Sequence, residues 1–207
     1  MTTAPLDLHI VQRIRKVAVL AALIALIGLA VVTQSIGGAD SVWHERIEAI
    51  GLAAMIFAIV GRAWCSLYIG GRKKAEIVDR GPYSISRNPL YVFSFIGAFG
   101  IGAQTGSVTV SLLFVAAAVW IFAQTVQREE GFLSREFGET YARYVARTPR
   151  FGPNFSLWRD EPELTVRPEF FLTTIRDGLV LLVAIPVFEL IDLGQAQGWL
   201  HVLTHLP

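Results

Sequence analysis

Arg87 and Asn88 at one end, and Glu129 and Glu130 at the other, bracket forty residues without a charge, Asn88 to Gln127. The guanidinium can hold an anionic acceptor, and a carboxylate beside it can take a proton from an amine. Forty helical residues would span roughly 60 Å, about twice the ~30 Å hydrocarbon core of a bilayer. Gly102, Gly106 and Ser107 lie midway and offer a turn. The stretch therefore reads as a hairpin that enters the membrane and returns, with both polar feet on one side. Packed helices lie ~8–10 Å apart, so the feet can build one site.

The residues after the hairpin have a face. Wound at roughly 100° per residue, 129–145 place Leu133, Phe137, Tyr141, Tyr144 and Val145 on one arc. Arg128, Arg135, Glu136, Glu139 and Arg143 fall opposite, and Gly131 and Gly138 weaken the helix. Glu130 falls within the apolar arc and Glu129 near its edge. An inward carboxylate needs a cation or donors, and Arg87, Arg62 and the run Arg147 to Arg150 are the candidates. The competing reading leaves both glutamates solvated at the membrane surface. At the first foot, Pro89 suits the opening turn of a helix and Asn88 its N-cap. The free N–H groups there can receive a ligand carboxylate, or the segment is an ordinary capped start with Arg87 among headgroups.

The elements that must position these residues are membrane spans. The chain has 207 residues, 53% of them apolar, and a mean hydropathy of +0.50. That is too apolar for an ordinary soluble domain. Charge-poor stretches predict spans at 17–39, 47–69, 90–103, 107–127 and 170–192, the last kinked at Pro186. A signal peptide is the weaker alternative for the first, whose apolar stretch is long for one and lacks a clear cleavage site. The expected fold is all-α: one polytopic membrane domain over 1–207, with about five transmembrane helices, a central hairpin and an amphipathic helix. With the N-terminus, 70–89 and 128–169 on one side, 16 of the 18 Lys and Arg residues cluster there or at the start of the last span. Arg13, Arg15 and Lys16 flank the first span. The positive-inside rule makes that side cytoplasmic. Pro149, Pro153, Pro162 and Pro168, interleaved with Phe151, Phe155 and Trp158, suit an irregular cover at the interface.

Several chemistries find no support. The net charge of +1 offers nothing to a nucleic acid, and the lone Cys65 forms no intrachain disulfide. His9, His44, His201 and His205 lie in three distant segments, so no metal set is expected. No phosphate loop, dinucleotide fingerprint or nucleophile motif is present.

Two segments resemble a known family. Gly81-Pro82-Tyr83-Ser84-Ile85-Ser86-Arg87-Asn88-Pro89-Leu90-Tyr91 is similar to the G-x-Y-x-x-x-R-[HN]-P-x-Y motif of isoprenylcysteine carboxyl methyltransferases, shared in part with phospholipid N-methyltransferases. Glu129 to Tyr144 resembles their E-E-x-x-L-x-x-x-F-G-x-x-Y-x-x-Y motif, and Arg147 to Phe151 their usual ending. The match covers about residues 47–153. It implies an integral membrane methyltransferase that uses S-adenosylmethionine on a lipophilic acceptor in the bilayer, such as a prenylcysteine carboxylate or a lipid amine or thiol. By position it implies cofactor contacts from Ile77, Val78, Tyr83, Asn88, Pro89, Leu90, Tyr91 and Glu129, with Arg87 and Glu130 nearest the reacting group. Two departures bear on the acceptor. Asn88 stands where enzymes for prenylated proteins usually carry His, and Ala75-Glu76-Ile77-Val78 replaces their His-x-Leu-Val. The alternatives are an NADPH-dependent membrane reductase of the sterol-reductase type and a non-catalytic membrane scaffold.

Overall fold

The computed structural model describes residues 8–72 and 75–207, with side chains from residue 17 onward. The side chains of His9, Arg13, Arg15 and Lys16, and all of Lys73 and Lys74, lie outside the described residues. The chain forms helices α1 (Leu8–Val32), α2 (Val42–Ile69), α3 (Pro82–Ile85), α4 (Pro89–Ala103), α5 (Val108–Arg147), α6 (Pro168–Leu179) and α7 (Ala184–Ala196). Two three-residue strands, β1 (Thr33–Ser35) and β2 (Thr204–Leu206), pair in parallel.

Three helical stretches are long and apolar enough to cross a membrane: α2, α5, and α6 with α7 as one unit. The apolar part of α1 and all of α4 are shorter. The fold is all-α, with these two shorter apolar helices standing where the first and third spans are expected. Large apolar side chains such as Ile24, Phe57, Leu112, Trp120 and Leu190 face outward, as suits contact with lipid. The protein is an integral membrane protein.

α2 runs through the middle and packs on α4 and α6. It starts earlier than expected, at Val42, because Ser41 caps it by accepting from the His44 N–H at 3.2 Å. The hairpin is α4 and α5, joined by a turn at 104–107 in which Gly106 has φ +64°. Ser107 caps α5 by accepting from the Val110 N–H.

Three details depart from expectation. The first apolar stretch does not stay helical to residue 39. It ends at Val32, where the Gln195 side chain donates to the carbonyls of Ala30, Val31 and Thr33 at 3.0–3.1 Å, replacing intrahelical bonds. The last span is interrupted by a 3₁₀ turn at Val180–Val183, in the turn before Pro186. Proline has no N–H for the carbonyl four residues back, and the helix re-pairs there. Finally, α5 continues from the membrane into the amphipathic segment but breaks at Gly138, with φ 47° and ψ −119°. That break resets the helical phase. Tyr141 and Tyr144 are buried as the wheel predicts, but Val145 turns outward.

Candidate active site

The site is assembled by two irregular segments that hold each other through the backbone. Residues 81–87 precede α4, and residues 149–159 follow α5. Gly81 N–H donates to Arg159 O at 2.8 Å, Arg87 N–H to Pro149 O at 2.8 Å, and Asn154 N–H to Ile85 O at 2.9 Å. Ser86 Oγ donates to Phe151 O at 3.1 Å, and Arg159 N–H to Ser84 Oγ at 3.1 Å. Pro149 has no N–H and contributes its carbonyl alone, while Asn154 and Arg159 of the same segment also donate. Gly81 is required by closeness, since any Cβ there would sit 2.3 Å from the Tyr68 ring.

Glu130 stands at the centre. Asn88 Nδ2 donates to its Oε1 at 3.0 Å, Arg150 Nη2 lies 3.0 Å from its Oε2, and Arg87 Nη2 lies 3.7 Å from Oε1. Asn88 Nδ2 also reaches Arg150 O at 3.2 Å. The inward carboxylate is therefore paired rather than solvated, and its partners come from both feet of the hairpin and from the cover. Glu129 accepts from Tyr91 Oη at 3.2 Å. One helical turn farther along α4, Phe95 joins Tyr91, Phe122 and Phe151 in an aromatic wall, with ring centroids 5.3–6.4 Å apart. Polar donors thus meet an apolar surface at one place.

Other candidate residues take different positions. Asn88 is the first residue before α4, but its side chain makes no cap. It turns to Glu130 instead, and Ser86 Oγ accepts the Asn88 N–H. Arg62, a candidate partner for Glu130, hydrogen-bonds Ser94 Oγ of α4. Arg147 pairs with Asp79. Tyr83 is buried with Cys65 and Tyr68, and Leu90 packs against them. Burial pushes the Tyr83 phenol well above its ordinary range, and its carbonyl accepts from Tyr144 Oη at 2.8 Å. Pro89 is buried at the first turn of α4. Ile77 and Val78 line a separate cleft of about 320 Å³, with Tyr68, Asp79, Glu161 and Thr165. Asp79, which also lies 3.7 Å from Arg159, joins that cleft to the cover.

Two guanidinium donors are left over. Arg87 Nε and Arg150 Nε are buried and have no hydrogen-bond partner among the described residues. A buried N–H without a partner is costly, and both lie on residues that grip Glu130. This donor set, with Glu129 close by, fits a ligand that carries a carboxylate and an ammonium group.

Residues 48–140 match the phospholipid methyltransferase family. The chain is similar to the nickel-cobalt-cadmium resistance protein NccN of Alcaligenes xylosoxydans xylosoxydans, at 32% identity over 99% of this chain and 94% of that protein. It is also similar to the cobalt-zinc-cadmium resistance protein CzcN of Cupriavidus metallidurans, at 38% identity over 81% of this chain and 77% of that protein. A third match is the protein-S-isoprenylcysteine O-methyltransferase of Schizosaccharomyces pombe, at 32% identity over 47% of this chain and 41% of that enzyme. No solved structure matches the chain at a significant level.

Proposed function

We propose that this chain, which belongs with NccN and CzcN to one family and matches the phospholipid methyltransferase family over residues 48–140, is an S-adenosylmethionine-dependent methyltransferase acting on a lipophilic acceptor in the bilayer. The observation that carries this reading is the cluster around Glu130, where Arg87 Nε and Arg150 Nε are buried with no partner among the described residues and the Arg150 guanidinium lies 5.7 Å from the Phe151 ring of the aromatic wall. When bound, S-adenosylmethionine supplies a methyl group already activated on a sulfonium sulfur. The chain's own task is to bind, orient and exclude water. Arg87 and Arg150 offer donors to a carboxylate, and Glu129 offers an acceptor to an ammonium. The family resemblance adds Asn88, Pro89, Leu90 and Tyr91 at the first turn of α4, Tyr83 packed beneath them, and Ile77 and Val78 in the cleft beside Asp79 as cofactor contacts. A carboxylate acceptor would be held by Arg87. An amine acceptor would give its proton to Glu130, after Asn88 or Arg150 releases one carboxylate oxygen. The acceptor enters from the lipid side along Tyr91, Phe95 and Phe122. The basic-residue distribution supports a cytoplasmic N-terminus and a cytoplasmic site.

Calorimetry on the purified protein tests this reading. The wild type binds S-adenosylmethionine, and Glu129→Ala weakens that binding about 10-fold. A well-folded wild type that binds none sinks the proposal, and binding of NADPH instead moves the assignment to a reductase. Incubation with a labelled methyl donor and a total membrane extract then identifies the acceptor by mass.

A second observation bears on what the activity serves. The two relatives matched over most of their length are named for resistance to nickel, cobalt, zinc or cadmium. We infer that methyl transfer by this protein contributes to growth in the presence of such metals. Cells carrying Glu130→Ala in place of the wild type should then lose tolerance, and unchanged tolerance would separate the two ideas.

A further inference from the structure

At the opposite end of the bundle, beside the hairpin turn, three metal-ligating side chains converge. Ser41 fixes the first turn of α2, so His44 and Glu48 lie one above the other at i, i+4. α7 brings Asp192 to the same place. His44 Nε2 lies 3.2 Å from Glu48 Oε1 and 3.4 Å from Asp192 Oδ2, and one ligand atom from each residue falls within 4.8 Å of the others. We propose that His44, Glu48 and Asp192 bind one divalent transition-metal ion at this end of the protein.

The imidazole is held in the orientation a ligand needs. His44 is only 3% exposed, and the hairpin turn closes against its ring at Gly106. Its Nδ1 lies 2.9 Å from Ser35 Oγ, whose own proton goes to Gly38 O at 3.3 Å. With the hydroxyl proton on Gly38 O, Ser35 accepts from Nδ1–H, and Nε2 faces the two carboxylates. This is the outer-shell arrangement that fixes a metal-binding histidine. A bare Nε2 lone pair against two carboxylates is repulsive, so either a proton or a cation must lie between them.

Distance and charge favour the cation. Charge-assisted N–H···O bonds run about 2.7–2.9 Å, shorter than either separation here. Two ligands on a tetrahedral ion with bonds of about 2.0–2.1 Å lie about 3.3 Å apart, which matches both. An imidazolium between two carboxylates leaves one net negative charge at the end of a membrane helix. No Lys or Arg among the described residues pairs with Glu48 or Asp192. A neutral imidazole, two carboxylates and a divalent ion sum to zero, which is the cheaper state where water is scarce. One nitrogen and two oxygens suit zinc, cobalt or nickel better than magnesium or calcium. Glu48 and Asp192 remain 25% and 17% exposed, so a further position stays open to solvent.

The test is a Co²⁺ titration of the tag-free, full-length protein in lipid nanodiscs. A His201→Ala/His205→Ala background removes the two exposed imidazoles of the C-terminal segment. One ion should bind per chain, with a visible d–d spectrum of low-symmetry coordination displaced by Zn²⁺. Glu48→Gln and Asp192→Asn, which preserve side-chain shape, should each weaken binding at least 10-fold, and Ser35→Ala about 10-fold. Unchanged thermal melting of metal-free Glu48→Gln establishes that its loss of binding is local. Absence of stoichiometric binding in that background, or binding retained in Glu48→Gln and Asp192→Asn, overturns the proposal and leaves a protonated His44 between two carboxylates.

Discussion

The two ends of the hairpin use carboxylates in opposite ways. At the feet, one glutamate is surrounded by donors: two guanidinium groups and an amide reach Glu130. At the turn, one imidazole is surrounded by acceptors, Glu48 and Asp192. Donors are in excess at the first end and negative charge at the second. The first arrangement suits an anionic ligand group and the second a cation, and about four turns of α4 and its partner α5 keep the two apart. Buried polar clusters in a membrane bundle thus advertise, by the sign of what they lack, the ligand they take.

The contrast can be broken most strongly at Glu130. Glu130→Ala leaves Arg87 and Arg150 without their counter-charge, and methyl transfer should fall at least about 100-fold, or ~2.7 kcal/mol. Metal binding at the turn should be unchanged in the same variant. Gly106→Ala strikes the other end. Its φ is +64° and its Cβ would lie 2.1 Å from His44 Nδ1, so it should cost about 2 kcal/mol in chemical denaturation. The folded fraction should still bind S-adenosylmethionine with wild-type affinity. A smaller effect sharpens what Asn88 does. Asn88→Ala should lower activity about 10-fold (~1.4 kcal/mol), and Asn88→Ser, a good N-cap, should not restore it. Smallest is Tyr144→Phe, which removes the bond to Tyr83 O and should cost about 1 kcal/mol of stability with little change in cofactor affinity.

The same contrast explains what could be read from sequence. The feet lie in two short segments with strong local signals: a proline in a first helical turn, an uncharged stretch of fixed length, and paired glutamates on an inward arc. Their convergence followed from bilayer thickness alone. The turn end has no such signal. His44 and Glu48 are neighbours on α2, but Asp192 and Gln195 arrive from the far end of the chain, and nothing in their local context announces a partner. Two errors were of another kind. Asn88 was expected to cap α4 because capping is what asparagine does there locally, but a carboxylate across the hairpin outbids the backbone. Val145 was expected to face inward because a wheel assumes one unbroken helix, and Gly138 breaks it.

The bond from Gln195 to the carbonyl of Ala30 spans 165 residues, and it sets an order on synthesis. The feet and their cover are complete once residue 159 has left the ribosome. The end of α1, strand β1 and the His44 cluster must wait for α7 and β2. During that interval α1 has open carbonyls at its end, and His44 and Glu48 lack Asp192. The last span to insert is therefore also the one that closes the first.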